Sequence, residues 1–191
     1  MIISIILAVL LVTVWLLAVL YMMFISVSYV ISDLKGAPFV PNDDNVIRTA
    51  LKLLRLSSKD VLVDLGSGNG KVLFEAVKNF EAKNAVGYEI SPWPFLLSIL
   101  KRRRLPKSVQ GRIKLHRKSI FNADLNEADV VYVYLFPKLL KKLAPMLLKA
   151  KRENRNLRIV SCVFQIKGMN PKKTIEVYHY GFRKDVTIYL Y

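Results

Sequence analysis

Val61-Leu62-Val63-Asp64-Leu65-Gly66-Ser67-Gly68-Asn69-Gly70-Lys71 is a strand, a tight turn and a helix start written in consecutive residues. Apolar positions run into Asp64, glycines then alternate with small polar residues, and Val72, Leu73, Phe74, Ala76 and Val77 follow at helical spacing. Such a turn points its backbone amides outward. Without side chains on the glycines, a nucleoside-like ligand can approach the main chain closely. A second apolar run, Ala85-Val86-Gly87-Tyr88, ends in Glu89. A carboxylate at the end of the second strand is placed to accept hydrogen bonds from both hydroxyls of a ribose.

The glycine spacing narrows the ligand. A dinucleotide fingerprint, G-x-G-x-x-G, makes room for a pyrophosphate at the helix start. Here the spacing is G-x-G-x-G, and Asp64 would suit a pyrophosphate poorly. It suits S-adenosylmethionine, whose ammonium a carboxylate can bind directly or through water. The competing reading is an ordinary turn with Glu89 on the surface. Asp64 before the loop and Glu89 after it favour the cofactor.

Residues 1–32 carry no charge, and only Ser4, Thr13, Ser26 and Ser28 interrupt the apolar run to Tyr29. A helix needs about 20 apolar residues to cross hydrocarbon roughly 30 Å thick. A cleaved signal would have a basic leader and an apolar stretch of about 7–15 residues. The expectation is a retained single-pass anchor over 1–32 and a linker over 33–41, marked by Gly36, Pro38 and Pro41. A single domain over 42–191 follows.

All 30 Lys and Arg and all 14 Asp and Glu follow the apolar run, so the net charge of +16 belongs to the part beyond it. The positive-inside tendency would hold that part on the cytoplasmic side, where a basic face is drawn to anionic lipid headgroups. Basic clusters at Lys101-Arg102-Arg103-Arg104 and around 114–118 lack the interleaved aromatics of a single-strand platform, so nucleic acid is not favoured. Cys162, the one cysteine, lies in an apolar run and reads as a core residue, consistent with a reducing compartment. His116 and His179 have no second ligand at metal spacing, so no metal site is expected.

Asn42-Asp43-Asp44 reads as a helix cap with an acidic first turn. Strands are expected at 61–65, 84–89, 112–116, 129–135 and 157–165. The helices between them fall near 70–80, 92–104 and 137–151, and the tail pairs 173–180 with 184–191. Alternation of this kind makes an α/β fold, a mostly parallel sheet finished by an antiparallel hairpin.

In this order, the parts resemble a class I S-adenosylmethionine-dependent methyltransferase of Rossmann-like fold. More narrowly, they resemble the small membrane-anchored protein-lysine methyltransferases that act on the ATP synthase c-subunit and the adenine nucleotide translocase. The matching pieces are Pro38-Phe39-Val40-Pro41, the Val63 to Lys71 loop, Val86-Gly87-Tyr88-Glu89-Ile90-Ser91-Pro92-Trp93, Tyr134-Leu135-Phe136-Pro137 and Arg158-Ile159-Val160-Ser161. The resemblance implies that Asp64, Gly66, Ser67, Gly68, Asn69 and Gly70 shape the methionine end of a cofactor site and that Glu89 holds the ribose. It sets Ser119 where an aspartate commonly meets the adenine amine, Asn69 where the family has Asp, and Phe39 where it has Tyr.

Methyl transfer from a sulfonium is an in-line displacement that relies on positioning, so no catalytic side chain is assigned. A lysine acceptor, of free pKa about 10.4, loses its proton more readily in an apolar pocket. Phe39, Pro41, Trp93, Leu135, Phe136 and Pro137 are the candidates to line that pocket, Trp93 having plain core packing as its alternative. A protein acceptor at a membrane is the expectation. RNA, a lipid or small molecule, and a non-catalytic cofactor-binding module stay open.

Overall fold

The computed structural model describes residues 2–35 and 40–191. An N-terminal helix α1 (Ile2–Lys35) precedes α2 (Asp44–Leu53), and strands and helices then alternate. They run β1 (Val61–Leu65), α3 (Lys71–Asn79), β2 (Asn84–Tyr88), α4 (Pro92–Arg103), α5 (Lys107–Gln110) and β3 (Ile113–His116). After a 3-10 turn (Ile120–Asn122) come β4 (Val130–Val133), α6 (Pro137–Glu153), β5 (Arg158–Cys162), β6 (Lys173–His179) and β7 (Lys184–Leu190). The seven strands form one sheet in the order β3-β2-β1-β4-β5-β7-β6. The first five are parallel, and β7 inserts antiparallel between β5 and β6. This is the class I methyltransferase sheet, with the C-terminal hairpin where alternation in the tail predicts it.

Adjacent residues of β1 and β4 point to opposite faces of the sheet, because strand side chains alternate. Leu62 and Val130 join a core built with Val46, Ile47, Ala50 and Leu51 of α2 and Leu73, Ala76 and Val77 of α3. Val63 and Val131 face the other way, against Leu140, Leu143 and Leu147 of α6. β1 and β4 lie side by side in the middle of the sheet, buried on both faces, which is why they read as continuous apolar runs. The Asp43 carboxylate caps α2 by accepting from Asn45 N–H at 2.8 Å.

Two strands are shorter than the sequence suggests by more than one residue. The fifth stops at Cys162 rather than 165, because Val163 takes a left-handed φ of 73° and Ser161 Oγ turns back to donate to Phe164 C=O at 2.6 Å. The fourth stops at Val133 rather than 135, and the next residues leave the sheet at its C-terminal edge. Cys162 is fully buried, as its apolar run predicts.

In α1, residues Ile2–Ser28 are long and apolar enough to cross a membrane, and none of its most apolar window is buried in the protein. It meets the fold at α4. Tyr21 and Phe24 stand edge-on to Trp93 with ring centroids 5.7 and 6.1 Å away, and the Trp93 backbone N–H donates to Ser28 Oγ at 3.0 Å.

Candidate functional site

A cavity of about 710 Å³ opens at the C-terminal ends of β1, β2 and β4, where parallel α/β sheets hold their ligands. Its first wall is the glycine loop. Gly66 N–H and Ser67 N–H both donate to Tyr88 C=O at 3.0 Å, fastening the end of β1 to the end of β2. Gly70 caps α3 with φ 81°, and a Cβ there would stand 2.7 Å from the Phe74 ring, so the turn admits only glycine. Gly87 matters for a different reason. A Cβ in its place would fall 2.5 Å from Leu73 Cδ1 and 2.6 Å from Ser67 Oγ, so its bareness lets α3 and the loop close onto β2.

Glu89 is the hinge of this wall. One carboxylate oxygen accepts from Gly68 N–H at 2.9 Å and the other from Ser91 N–H at 2.6 Å. The side chain is 8% exposed. Each oxygen keeps a lone pair for a ligand, which fits the two hydroxyls of a ribose. Asp64, at 3% exposure, lines the same cavity. Burial, with the Glu89 charge nearby as a smaller cause, pushes its carboxyl up to about 8. Unaccompanied, Asp64 is a neutral acid at pH 7. An ammonium beside it would restore the carboxylate.

The second wall is apolar. Leu135 and Phe136 follow β4, Val163 and Phe164 follow β5, and Phe182 and Val186 come from the C-terminal hairpin. Phe121 and Phe136 remain well exposed although both line the cavity, and so does Phe182. Ile120 and Ser119 close the end beyond Glu89, with Ser119 Oγ accepting from Phe121 N–H at 3.4 Å to start the 3-10 turn.

A polar strap holds the chain across the cavity. Asn42 Nδ2 donates to Tyr132 Oη at 2.6 Å, and the Cys162 thiol donates to the same oxygen at 3.3 Å. Lys71 Nζ donates to Asn42 C=O at 2.9 Å and pairs with Asp44 at 3.1 Å. Burial raises the Tyr132 phenol well above its ordinary value and pushes the Cys162 thiol up to about 12. Both therefore stay neutral, and Cys162 is no nucleophile.

Of the residues expected to touch a cofactor, Asp64, Gly66, Ser67, Gly68, Asn69, Glu89 and Ser119 all line this cavity, and Gly70 stands just behind it as the helix cap. Of the acceptor-pocket candidates, Pro41, Leu135 and Phe136 line it. Pro137 is instead the exposed first residue of α6, with Phe136 as its cap. Trp93 lies outside the lining, because it projects from the outer side of α4 onto α1. Phe39 is outside the described residues. Asn42, Lys71 and Tyr88 sit in a quoted cap or motif without being marked there as site residues, Phe121, Tyr132 and Phe182 carry no motif, and only their meeting in the fold brings all six to the cavity.

Comparison with known proteins adds four findings. The model of the ANTKMT methyltransferase domain matches residues 64–173. A protein-lysine N-methyltransferase of Saccharolobus islandicus is 33% identical over 154 residues, covering 81% of this chain and 92% of that protein. The Homo sapiens lysine N-methyltransferase named for the ATP synthase C-subunit is 29% identical over 135 residues, 70% of this chain but only 54% of its own length. Among solved structures, an RNA methyltransferase from Salinibacter ruber bound to S-adenosyl-L-homocysteine aligns with TM-score 0.68 at 28% identity, covering 80% of this chain and 92% of that one.

Proposed function

Because the chain belongs to the ANTKMT methyltransferase domain family, and so depends on S-adenosylmethionine, we propose that it methylates lysine side chains of a membrane-associated protein. The observation that carries this reading is the 33% identity to a protein-lysine N-methyltransferase across 92% of that relative's length. The chain spans about half the length of several other curated relatives, which are named for the ATP synthase C-subunit and the adenine nucleotide translocase.

The residues fit the cofactor. Glu89 offers two oxygens already aligned by Gly68 and Ser91 amides for the ribose hydroxyls. Asp64 offers a buried carboxyl for the ammonium, and Gly66, Ser67, Gly68 and Asn69 border the methionine end while Gly70 shapes the turn. Ser119 and Ile120 stand at the adenine end. When bound, S-adenosylmethionine supplies a methyl group already activated on a sulfonium. What remains for the protein is to hold the acceptor nitrogen in line, to strip its proton and to exclude water. Leu135, Phe136, Val163 and Phe164 line that approach, and an ammonium entering such surroundings loses its proton more readily than in water.

The remaining assignments follow the same reading. Residues 1–32 anchor the protein, 33–41, of which 33–35 continue α1, link it, and 42–191 form the catalytic domain on the cytoplasmic side. One finding favours a second reading, the 28% identity to the RNA methyltransferase of Salinibacter ruber.

The test is transfer of labelled methyl from S-adenosylmethionine by the full chain into native membranes that lack it. Label removed by protease and recovered as methyl-lysine is the expected result. Label released by RNase, or extracted with lipid, would overturn the acceptor.

A further inference from the structure

Helix α4 is buried on one side only. Ser91, Pro94 and Ser98 face the protein. With about 100° of rotation per residue, Trp93, Leu96, Leu100, Arg103 and Arg104 gather within an arc of about 100° on the opposite side. Leu96 and Leu100 are 37% and 41% exposed, and Lys101, Arg103 and Arg104 are exposed at the helix's end. Arg102 is turned inward and donates twice to Gln110 C=O, at 2.9 and 3.0 Å. The outer face is therefore an apolar stripe ending in cations.

That stripe begins where α1 touches the fold. The apolar stretch Ile2–Ser28 has 27 residues, which as a helix is about 40 Å long, against hydrocarbon roughly 30 Å thick. If α1 spans from its N-terminal end, Tyr21 falls about 29 Å along it, at the hydrocarbon boundary. Tyr21 and Phe24 are the rings that meet Trp93 there, as interfacial aromatics do.

We propose that the outer face of α4 lies in the headgroup layer of an anionic bilayer, Trp93, Leu96 and Leu100 dipping toward the acyl chains and Arg103 and Arg104 meeting lipid phosphates. The proposal rests on reading α1 as a membrane span. A helix apolar on one side and basic at its border is built for that plane. Only two residues separate Glu89 from the first residue of α4, so the ribose end of the cavity is within about 10 Å of chain from that helix. An acceptor would then be met close to the membrane surface rather than deep in the cytoplasm.

The full chain carrying Leu100→Cys or Lys141→Cys, labelled with the fluorophore NBD, would be reconstituted into phosphatidylcholine vesicles with and without phosphatidylglycerol. Lys141 is exposed on α6, and buried Cys162 escapes the label. The expected result is at least about threefold stronger quenching at position 100 than at 141 by lipids nitroxide-labelled high on the chain. Phosphatidylglycerol should deepen the effect, and Arg103→Glu with Arg104→Glu should remove that dependence. A Leu96→Cys label should behave as the one at 100, guarding against a local effect of one substitution. Equal access of aqueous iodide to positions 100 and 141 would overturn the proposal. Quenching that follows protein concentration instead of lipid would also overturn it, assigning the stripe to a second copy of the chain. Alkaline extraction decides the span separately. A chain retained in the vesicles with position 100 in water refutes α4 alone, and a chain washed out refutes the span.

Discussion

The two walls of the cavity are made in opposite ways. The wall from β1 and β2 is polar and locally encoded. Its glycine loop and two carboxylates lie within 26 consecutive residues, from Asp64 to Glu89, and backbone amides of Gly66, Ser67, Gly68 and Ser91 tie them together. The facing wall is apolar and assembled from afar, with Leu135, Phe164 and Phe182 arriving from three separate connections. Fixed dipoles and carboxylates recognise a ligand of constant chemistry. Apolar surface from separate loops recognises by shape, so it can be altered without disturbing the first wall.

The sharpest way to break this division is Glu89→Ala. It removes two charge-assisted contacts to the ligand and frees two loop amides, together worth about 3–4 kcal/mol at 1.5–3 per bond after partial relaxation, or roughly 100-fold or more in cofactor affinity. Calorimetric titration with S-adenosylhomocysteine should read that loss, and Glu89→Gln should recover part of it. Unchanged affinity would remove Glu89 from the site.

Phe136→Ala tests the other wall. It should raise the acceptor KM by about tenfold, the effect of roughly 1.4 kcal/mol of lost apolar contact, and leave S-adenosylhomocysteine binding within error. Steady-state kinetics paired with calorimetry separates the two. A joint loss would mean that the walls are not independent.

A pH-graded effect comes from Asp64. Its carboxyl, raised to about 8 in the fold against an ordinary 3.8, is neutral at pH 7. Raised above its unfolded value, it contributes stability that is fully present below about pH 4 and lost as pH climbs through about 8. Asp64→Asn should flatten that part of the Tm-versus-pH curve. Cofactor binding, by contrast, needs the charged form. Relative to Asp64→Asn, the native protein should gain affinity for S-adenosylhomocysteine by up to about tenfold per pH unit from 6 toward 8.

Gly87→Ala sharpens the comparison from the side of stability. A methyl group set against Leu73 and Ser67 must push α3 or the loop aside, and overpacking of this kind costs about 1–3 kcal/mol. Thermal melting should record it, together with weaker cofactor binding and an acceptor KM that does not change.

The same contrast explains what is legible in the sequence alone. The strand, turn and helix over Val61 to Lys71 declare themselves because every signal is local. Glu89 is legible from its distance to the loop. Trp93 is not, since its surroundings depend on α1 returning to α4 from 65 residues earlier, where Ser28 receives its N–H. The strap from Asn42 to Tyr132 joins positions 90 residues apart, and no spacing rule links them. Phe182 enters the cavity only because β7 inserts antiparallel between β5 and β6, which puts the hairpin turn beyond the C-terminal end of β5.

Everything above turns on where the cofactor lies, and a crystal structure of the full chain with S-adenosylhomocysteine would test that most directly. The predicted result has both ribose hydroxyls on the Glu89 carboxylate, the amino group at Asp64, and the sulfur opening toward Leu135 and Phe136. A ligand whose ribose avoids Glu89, or whose sulfur faces away from the apolar wall, would contradict it.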